Sequence, residues 1–357
     1  MNHEGVLRSF DHRKNWEMVL APEIVTMLME LHEFKGKQSK FLETKRDVLS
    51  QLVYVAKIQS AEASNKIEGI QTSDERLNAL LKDKTMPKSR SECEIAGYRD
   101  VLNTIHESHD YIPINSSMIL QLHKDLYKFE SYDIGGKYKL SDNIIEEDIN
   151  GNKVVRFKPV AAWETPDAVQ SLCDEYNNAL GEGKIDSLIL MSMFILDFLC
   201  IHPFNDGNGR MSRLLTLLIL YKADYIVGKY ISIEHLIEKT KDFYYDSLEK
   251  SSVKWHENEN DYAPFLKYML GVLLAAYRDF ADRIELIDYG KLSKPERIAR
   301  FIKDSYGEIT KTEIMKAFQD ISQITVQRTL AELLEKGEII KIGGGRYTKY
   351  VWNNNKL

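Results

Sequence analysis

Apolar residues recur along most of this chain at the 3.6-residue spacing of helices that bury one face. The repeat extends from about residue 23 to 59. It returns over 118–127, after a stretch with proline and asparagine that ends in a predicted serine cap. A threonine cap and a proline at 165–167 begin another predicted helix, and a long apolar helix covers about 186–200. The pattern therefore predicts a mainly α-helical protein.

Two later stretches complete the helical body. Residues 214–220 are apolar on nearly every side, which is typical of a central helix surrounded by its neighbours. A further helix is predicted over 234–250, and helical spacing continues to about residue 287. Residues 131–160 differ, because apolar pairs flank an Asn-Gly-Asn turn at 150–152, which is a β-hairpin signal. We expect one small hairpin within the helical body.

The C-terminal part has a pattern of its own. Three amphipathic helices and two strands are predicted, over 295–303, 312–318, 325–336, 338–342 and 346–352. Three helices followed by a hairpin are typical of a winged helix-turn-helix. The fold class that we expect is therefore mainly α, with a small hairpin in the main body and a C-terminal winged helix-turn-helix.

Charge narrows the range of partners. The chain has 48 Lys and Arg against 54 Asp and Glu, a formal net charge of −6, which argues against a surface that coats nucleic acid. Residues 288–357 carry 13 Lys and Arg against 9 Asp and Glu, so this part is basic. Its candidates for DNA contacts are Thr325, Gln327, Arg328, Arg346 and Lys349. Winged helices also dock proteins or dimerise, so DNA and protein both stay open as partners of this part.

Cysteines and apolar runs exclude some protein classes. Cys93, Cys173 and Cys200 are far apart and lack CxxC spacing, which indicates neither a disulfide framework nor a thiolate zinc site. The first residues are polar, without the apolar stretch of a signal peptide. The longest uncharged apolar run, 187–196, is too short to cross the roughly 30 Å core of a bilayer. We expect a cytoplasmic protein that does not contact membranes.

Candidate chemistry is concentrated where the helix over 186–200 ends. Residues 202–213 read His-Pro-Phe-Asn-Asp-Gly-Asn-Gly-Arg-Met-Ser-Arg. A glycine-rich turn that opens a helix leaves backbone N–H groups pointing at one spot, and the helix dipole adds positive potential there. Gly207 and Gly209 leave room for a phosphate against those amides. The pattern indicates a phosphate site at the start of a helix near Asn208.

The charged residues of the same stretch suit a nucleotide. Arg210 and Arg213 are three apart and share a helix face, so both are expected to reach a phosphate tail. Asp206 offers a hard oxygen ligand for Mg²⁺. His202 has the side chain best suited to accept a proton near neutral pH, with an ordinary pKa of about 6.5. Phe204 is expected to anchor the loop in the core.

The stretch 202–213 resembles, at every defining position, the Fic family signature His-Pro-Phe-x-Asp/Glu-Gly-Asn-Gly-Arg-x-x-Arg. The sequence Leu-His-Lys-Asp-Leu at 122–126 looks like the family's early core helix. The predicted hairpin around 137–158 is similar to the flap that aligns a target segment. The order of elements follows the family over about 23–287. This resemblance, with the winged helix predicted above, divides the chain into an N-terminal helical region at 1–110, a Fic core at 111–287 and the winged helix at 288–357.

The resemblance also implies a reaction, AMPylation. His202 would act as general base on a Ser, Thr or Tyr hydroxyl, which attacks the α-phosphorus of ATP in line while pyrophosphate leaves. Asp206 would hold Mg²⁺, and Arg210 and Arg213 would bind the β- and γ-phosphates. The residues thus assigned to ATP are Phe204, Asn205, Asp206, Gly207, Asn208, Gly209, Arg210 and Arg213. Tyr245 is a candidate for stacking on adenine, although an aromatic at helical spacing is more often a core residue.

A second resemblance concerns residues 64–69, which read Ser-Asn-Lys-Ile-Glu-Gly. Taken alone, they are typical of a helix that ends at a glycine. Beside a Fic motif they resemble the inhibitory helix Ser/Thr-x-x-x-Glu-Gly/Asn of the class II proteins in this family. The residues concerned are Ser64, Glu68 and Gly69. The resemblance implies that Glu68 pairs with Arg213 and prevents a productive ATP pose.

Three functions remain open from the sequence. The first is AMP transfer to a target protein or to the protein itself. In some relatives the same glutamate orients a water for hydrolytic removal of AMP, so a hydrolase is the second. The third is a DNA-binding regulator whose Fic core senses nucleotide, but the intact His202 and Asp206 favour an enzyme. A homodimer stays open, and the target protein is not encoded in any readable pattern.

Overall fold

The computed structural model describes residues 8–44, 46–81, 85–130, 134–149, 152–288, 292–305, 307–318, 320–345 and 348–353. Within these ranges the protein is mainly helical and has two small antiparallel sheets. None of the helices described there is long and apolar enough to span a membrane.

The elements are numbered in chain order. The helices of the described ranges are α1 (His12–Asn15), α2 (Pro22–Thr44), α3 (Arg46–Ile67), α4 (Asp74–Leu81), α5 (Arg90–Ser108), α6 (Ser116–Leu126), α7 (Thr165–Glu182), α8 (Ser187–Ile201), α9 (Asn208–Lys222), α10 (Ile233–Lys239), α11 (Lys241–Ser252), α12 (Ala263–Asp288), α13 (Lys294–Asp304), α14 (Lys311–Ala317) and α15 (Gln323–Glu335). The strands are β1 (Ile145–Ile149), β2 (Asn152–Phe157), β3 (Ile309–Thr310), β4 (Ile339–Ile342) and β5 (Lys349–Trp352).

Helices α8 and α9 form the centre of the molecule. Residues 188–198 of α8 and 210–221 of α9 are all buried, as expected for helices that are apolar on most sides. Asp186 caps α8, its Oδ1 accepting a hydrogen bond from the Leu188 N–H at 2.8 Å. Buried apolar residues from Phe10 to Ile284 form one cluster around this pair. The turn between α8 and α9 is therefore held by the largest core of the protein.

The hairpin lies where the sequence predicts it. Strands β1 and β2 pair antiparallel, with a register shift between Ile145 and Glu146. The turn residues Asn150 and Gly151 lie outside the described residues. Residues 137–144 lead into β1 without strand structure. We call the β1–β2 hairpin the flap.

Some predicted boundaries are wrong. The single helix over 234–250 is two helices, α10 and α11, which meet at Thr240, where the hydroxyl donates to the Leu236 carbonyl at 2.8 Å. The cap of α6 is Asn115 rather than a serine, its Oδ1 accepting from the Met118 N–H at 2.8 Å. Thr165 begins α7 as its first residue, its hydroxyl donating to the Ala161 carbonyl. Each difference comes from a polar side chain that bonds the backbone locally.

The C-terminal part, 292–353, has a small core of its own that runs from Ile298 to Ile339. Helices α13, α14 and α15 pack on a sheet with strand order β3-β5-β4. The predicted strands 338–342 and 346–352 are shorter than expected, at 339–342 and 349–352, and Arg346 lies outside the described residues. Helix α3 contacts this part, because Gln51 Nε2 donates to the Ala317 carbonyl at 3.0 Å.

Candidate active site

The turn between α8 and α9 places a histidine and a helix N-terminus side by side. His202 follows the last residue of α8 and lies in the left-handed region, with φ 51° and ψ 61°, and Gly207 precedes α9 with φ 84°. For a residue with a Cβ this conformation costs about 1–2 kcal/mol, so the surroundings must hold it. Phe204 is fully buried, and its ring stacks on that of His123 with centroids 3.7 Å apart. Phe204 thus anchors the loop, as the sequence predicts.

Asn208 closes the turn from inside. Its Oδ1 accepts from the Phe204 N–H at 2.9 Å, and its Nδ2 donates to the Phe204 carbonyl at 2.8 Å. Its amide group therefore binds the loop itself rather than a ligand. The Gly207 N–H is occupied as well, because it donates to Asp206 Oδ1 at 2.7 Å. Asn205 is exposed on the outside of the loop.

His202 has one ring nitrogen engaged. Its Nδ1 lies 3.3 Å from the Leu199 carbonyl oxygen, which can only accept, so the neutral ring carries its proton on Nδ1. The lone pair of Nε2 is then free to accept a proton. Burial lowers the pKa of His202 to about 4, despite an opposing contribution from the Leu199 hydrogen bond. The imidazole is therefore neutral at pH 7, as a general base requires.

His202 lines a cavity of about 840 Å³. Its walls come from the flap, α8, α9, α11 and the end of α3. The predicted site residues among its lining are Glu68, His202, Gly209, Arg213 and Tyr245. This volume falls in the range of small-molecule and cofactor sites.

Arg213 is held by the last turn of α3. Its Nη2 lies 2.8 Å from Glu68 Oε1 and 2.9 Å from the Ser64 carbonyl oxygen, and its Nε donates to Ser64 Oγ at 2.8 Å. Arg213 is buried, and the side chain of Glu68 is 32% exposed. A Cβ built on Gly209 would overlap Glu68 Oε1. The carboxylate of Glu68 therefore rests against the first turn of α9, where the sequence predicts a phosphate.

The end of α3 explains the Glu-Gly pair. Gly69 has φ 78°, and the Ile70 N–H returns to the Asn65 carbonyl at 2.9 Å. This is the glycine-terminated helix end expected from the sequence. Lys241 Nζ donates to the Ile67 carbonyl at 2.7 Å, which fixes the same end to α11.

The two arginines of the motif have different surroundings. Arg210 is 1% exposed, pairs with Glu94 at 2.6 Å and donates to the Tyr127 hydroxyl at 2.7 Å. It does not line the cavity. Asp206 is half exposed, and its Oδ2 lies 3.1 Å from Arg90 Nη2. The structure thus brings Arg213 to the cavity and directs Arg210 toward Glu94.

Asp206 is the carboxylate that the sequence predicts to bind Mg²⁺. Among the described residues, no three His, Cys, Asp or Glu side chains converge to hold a metal ion. Mg²⁺ at nucleotide sites often uses one or two carboxylates, with phosphate oxygens and waters completing its shell. A single half-exposed carboxylate at the turn fits that requirement.

Tyr245 faces the cavity from α11. Its ring meets that of Tyr244 edge-on, with centroids 5.3 Å apart, and the Lys241 ammonium lies 5.7 Å from its centroid. Tyr244 is buried in the main core. Both tyrosines line the cavity, and Tyr245 is the less buried of the two.

Sequence reasoning missed several residues that support the turn. His123 receives the Gly136 N–H on Nδ1 at 2.9 Å, and its Nε2 lies 3.1 Å from the Asp206 carbonyl. Lys139 and Asn143 contact the carbonyls of 201–204. These partners lie far from the motif in sequence, so no local spacing signals them.

Comparison with known proteins identifies part of the chain. Residues 113–220 match the Fic/DOC family model. A Fido domain-containing protein of Dictyostelium discoideum is 26% identical over 148 residues, which cover 41% of this chain and 96% of the relative. A probable protein adenylyltransferase of Aquifex aeolicus is 28% identical over 107 residues, or 30% of each chain.

Other matches are shorter or structural. A segment of 62 residues is 45% identical to the ribonucleoside-diphosphate reductase small chain of Ostreid herpesvirus 1, over 11% of that protein. This match and the Aquifex match thus span less than a third of those relatives. The crystal structure of a Fic family protein from Desulfovibrio desulfuricans superposes with TM-score 0.59 at 21% identity, over 95% of this chain and 98% of that one. Residues 113–220 of this chain, which contain the turn at 202–207, are a domain of the Fic/DOC family.

Proposed function

We propose that this protein transfers AMP from ATP to a hydroxyl group of a protein, either a target or itself. Fic domains generally transfer AMP or another nucleoside monophosphate to proteins. One observation carries the proposal. His202 is neutral, its Nε2 is free to accept a proton, and it lines the same cavity as Arg213 and Gly209 in the first turn of α9.

The chemistry follows from that arrangement. His202 Nε2 takes the proton of the target hydroxyl while its oxygen bonds to the α-phosphorus and the bond to pyrophosphate breaks. The Gly209 amide and the dipole of α9 stabilise the phosphates, and the Gly207 amide joins them once Asp206 Oδ1 no longer accepts its hydrogen bond. Asp206 would hold Mg²⁺, which neutralises phosphate charge when bound. Arg213, once released from Glu68, binds the terminal phosphates, and Tyr245 stacks on the base.

Glu68 is proposed to be inhibitory. Its carboxylate occupies Arg213 and lies against Gly209, so it repels an incoming phosphate and removes the cation that would bind it. Ser64 and Gly69 support this state, because Ser64 binds the same arginine and Gly69 ends the helix beside it. The resting protein is therefore largely inactive.

Intact-mass spectrometry after incubation with ATP and Mg²⁺ tests the proposal. Glu68→Gly should gain the mass of AMP faster than the wild type, and the double variant Glu68→Gly/His202→Ala should gain none. A candidate target added to the same reaction separates self-modification from transfer. Equal labelling with and without His202 would contradict the mechanism.

Removal of AMP is a second candidate function. Glu68 and His202 line the same cavity, and Glu68 is 32% exposed, so its carboxylate is open to a water. Protein labelled by the Glu68→Gly variant is the substrate for this test. Release of AMP by the wild type but not by Glu68→Gly would support hydrolysis.

The C-terminal part, 292–353, is proposed to be a winged helix. The order of α13, α14 and α15 and the sheet β3-β5-β4 support this. Gln327 and Arg328 of α15 are exposed, which suits contact with DNA. A mobility shift with genomic fragments, lost in Gln327→Ala/Arg328→Ala, would support DNA binding over protein docking. The proposed division of the chain remains 1–110, 111–287 and 288–357.

A further inference from the structure

A short segment before the flap lies against the turn that carries His202. Lys139 is 1% exposed, which is rare for a lysine and calls for partners that offset its burial. Its Nζ donates to the Ile201 carbonyl at 3.0 Å and to Asn143 Oδ1 at 2.8 Å. Its backbone N–H donates to the Pro203 carbonyl at 2.9 Å.

Asn143 extends the same set of contacts. Its Nδ2 lies 3.4 Å from the His202 carbonyl oxygen and 3.3 Å from that of Phe204. Four consecutive carbonyls, those of 201–204, are thus bound from one segment of five residues. We call Lys139 and Asn143 the carbonyl clamp.

The clamp acts where the backbone needs support. Ile201 is the last residue of α8, and a cation beside the final carbonyls of a helix is stabilised by the helix dipole. The next residue, His202, has φ 51°, a conformation that persists only where its surroundings determine it. Bonds to the carbonyls on both sides of His202 fix the peptide planes, and hence the direction of its Cα–Cβ bond.

We propose that Lys139 and Asn143 are positioning residues for the general base: they hold the 201–204 backbone so that His202 Nε2 faces the cavity, and they join this backbone to the flap. The catalytic part of this inference rests on the proposed AMP transfer. The link to the flap is covalent, because residue 143 is two positions before β1. A target segment that lies on the flap is thereby aligned with the base.

Lys139→Met tests the clamp in the Glu68→Gly background, where the proposed enzyme is active. Methionine retains an apolar side chain of similar length but donates no hydrogen bond. We expect kcat for AMP transfer to fall about 10- to 100-fold, since misplacement of a catalytic group by about 1 Å has effects of this size. The KM for ATP should change less than kcat, because neither clamp residue lines the cavity. Lys139→Arg, which keeps the charge and the donors, should recover much of the loss.

A second measurement does not depend on activity. The groups that shift the pKa of His202 include the positive charges of Lys139 and Arg156, which lower it, and Glu68, which raises it. The imidazole is titrated by NMR and assigned by difference with His202→Ala. Lys139→Met should raise the pKa of His202, and Lys139→Arg should leave it close to the parent value.

Controls separate the outcomes. Lys137→Met replaces an exposed lysine two positions away and should match the parent in both measurements. If Lys139→Met does not fold, Asn143→Ala replaces it and should lower kcat in the same way. A folded variant with parental kcat and an unchanged His202 pKa would overturn the clamp. If the Glu68→Gly parent transfers no AMP, the proposed function fails. The His202 titration in Asn143→Ala, which removes two bonds of the clamp without changing any charge, still decides whether the clamp positions His202.

Discussion

The turn at 202–209 and the end of α3 at 64–70 meet at the same cavity but are held very differently. The turn has a buried anchor in Phe204, an internal tie from Asn208 and bonds to each carbonyl from 201 to 204. The end of α3 is held by Glu68, which is 32% exposed, and by contacts of Ser64 and Lys241. The position of His202, the proposed general base, is thus fixed by the core, whereas Glu68, the proposed inhibitory group, has a partly exposed side chain.

The largest expected effect is on the stability of the turn. Phe204→Ala removes a fully buried ring, and large-to-small core changes of this kind cost about 3–5 kcal/mol. The free energy of unfolding, measured by urea titration, should fall by this amount. Phe243→Ala, at a side chain 70% exposed, is the matched control. Glu68→Ala should cost less, about 1–3 kcal/mol, because the buried Arg213 loses one partner but keeps its bonds to Ser64. Similar losses for Phe204→Ala and Glu68→Ala would refute the contrast.

The next effect concerns the influence of Glu68, at the end of α3, on ATP affinity. Glu68→Gln keeps the side-chain length but removes the charge that pairs with Arg213. ATP affinity, measured by calorimetry with His202→Ala present to prevent turnover, should rise about 5- to 150-fold, the usual range of coupling between competing contacts. Glu107→Gln, at an exposed position, should leave it unchanged. Unaltered affinity in Glu68→Gln would mean that the carboxylate does not compete with phosphate.

A fall in pH should lower the free energy of unfolding through His202 and His123. Burial lowers the pKa of His202 and of His123 to about 4, against about 6.5 in an unfolded chain. The unfolded state therefore binds more protons between these values, so the free energy of unfolding should fall as the pH drops from 6.5 to 4. His123→Gln should reduce the slope in this window. A flat profile would contradict the burial of both rings.

The pKa of His202 also predicts how kcat/KM should depend on pH. The proposed transfer by Glu68→Gly would require neutral His202, so kcat/KM should hold its value as the pH falls and decline only near or below about pH 4. Glu68 raises the pKa of His202, so the wild type, which retains this carboxylate, should show the decline at higher pH than Glu68→Gly. A decline at pH 6.5 in both would show that His202 is solvated during turnover.

The smallest effect tests the contact that holds α3. Lys241→Met removes the hydrogen bond to the Ile67 carbonyl. In the otherwise wild-type protein, AMP transfer should rise about 2- to 5-fold, as for a bond of roughly 0.5–1 kcal/mol. In the Glu68→Gly background the same change should give no increase, because the inhibitory group is already absent. An equal rise in both backgrounds would show that Lys241 acts on the site by another route.

The parts of the structure that sequence predicts well are those with local causes. The apolar repeat identified α8 and α9, and the Asn-Gly-Asn turn identified the flap. The break at Thr240 carries no proline or glycine, so the pattern continued through it. The pairing of Arg210 with Glu94 and the contacts of Lys139 depend on segments brought together by folding. Motif spacing alone assigned both arginines to phosphate and had no means to separate them.

Gly209 limits how such a protein can change by mutation. The space next to its Cα is the space taken by the Glu68 carboxylate. In the proposed function, a phosphate bound at the turn needs the same space. Any side chain at 209 that displaced the glutamate would also exclude the nucleotide. We therefore expect that substitutions at 64 and 68 can make the protein permanently active, whereas substitutions at 209 cannot. Screens for gain of activity should recover changes in α3 and leave this glycine untouched.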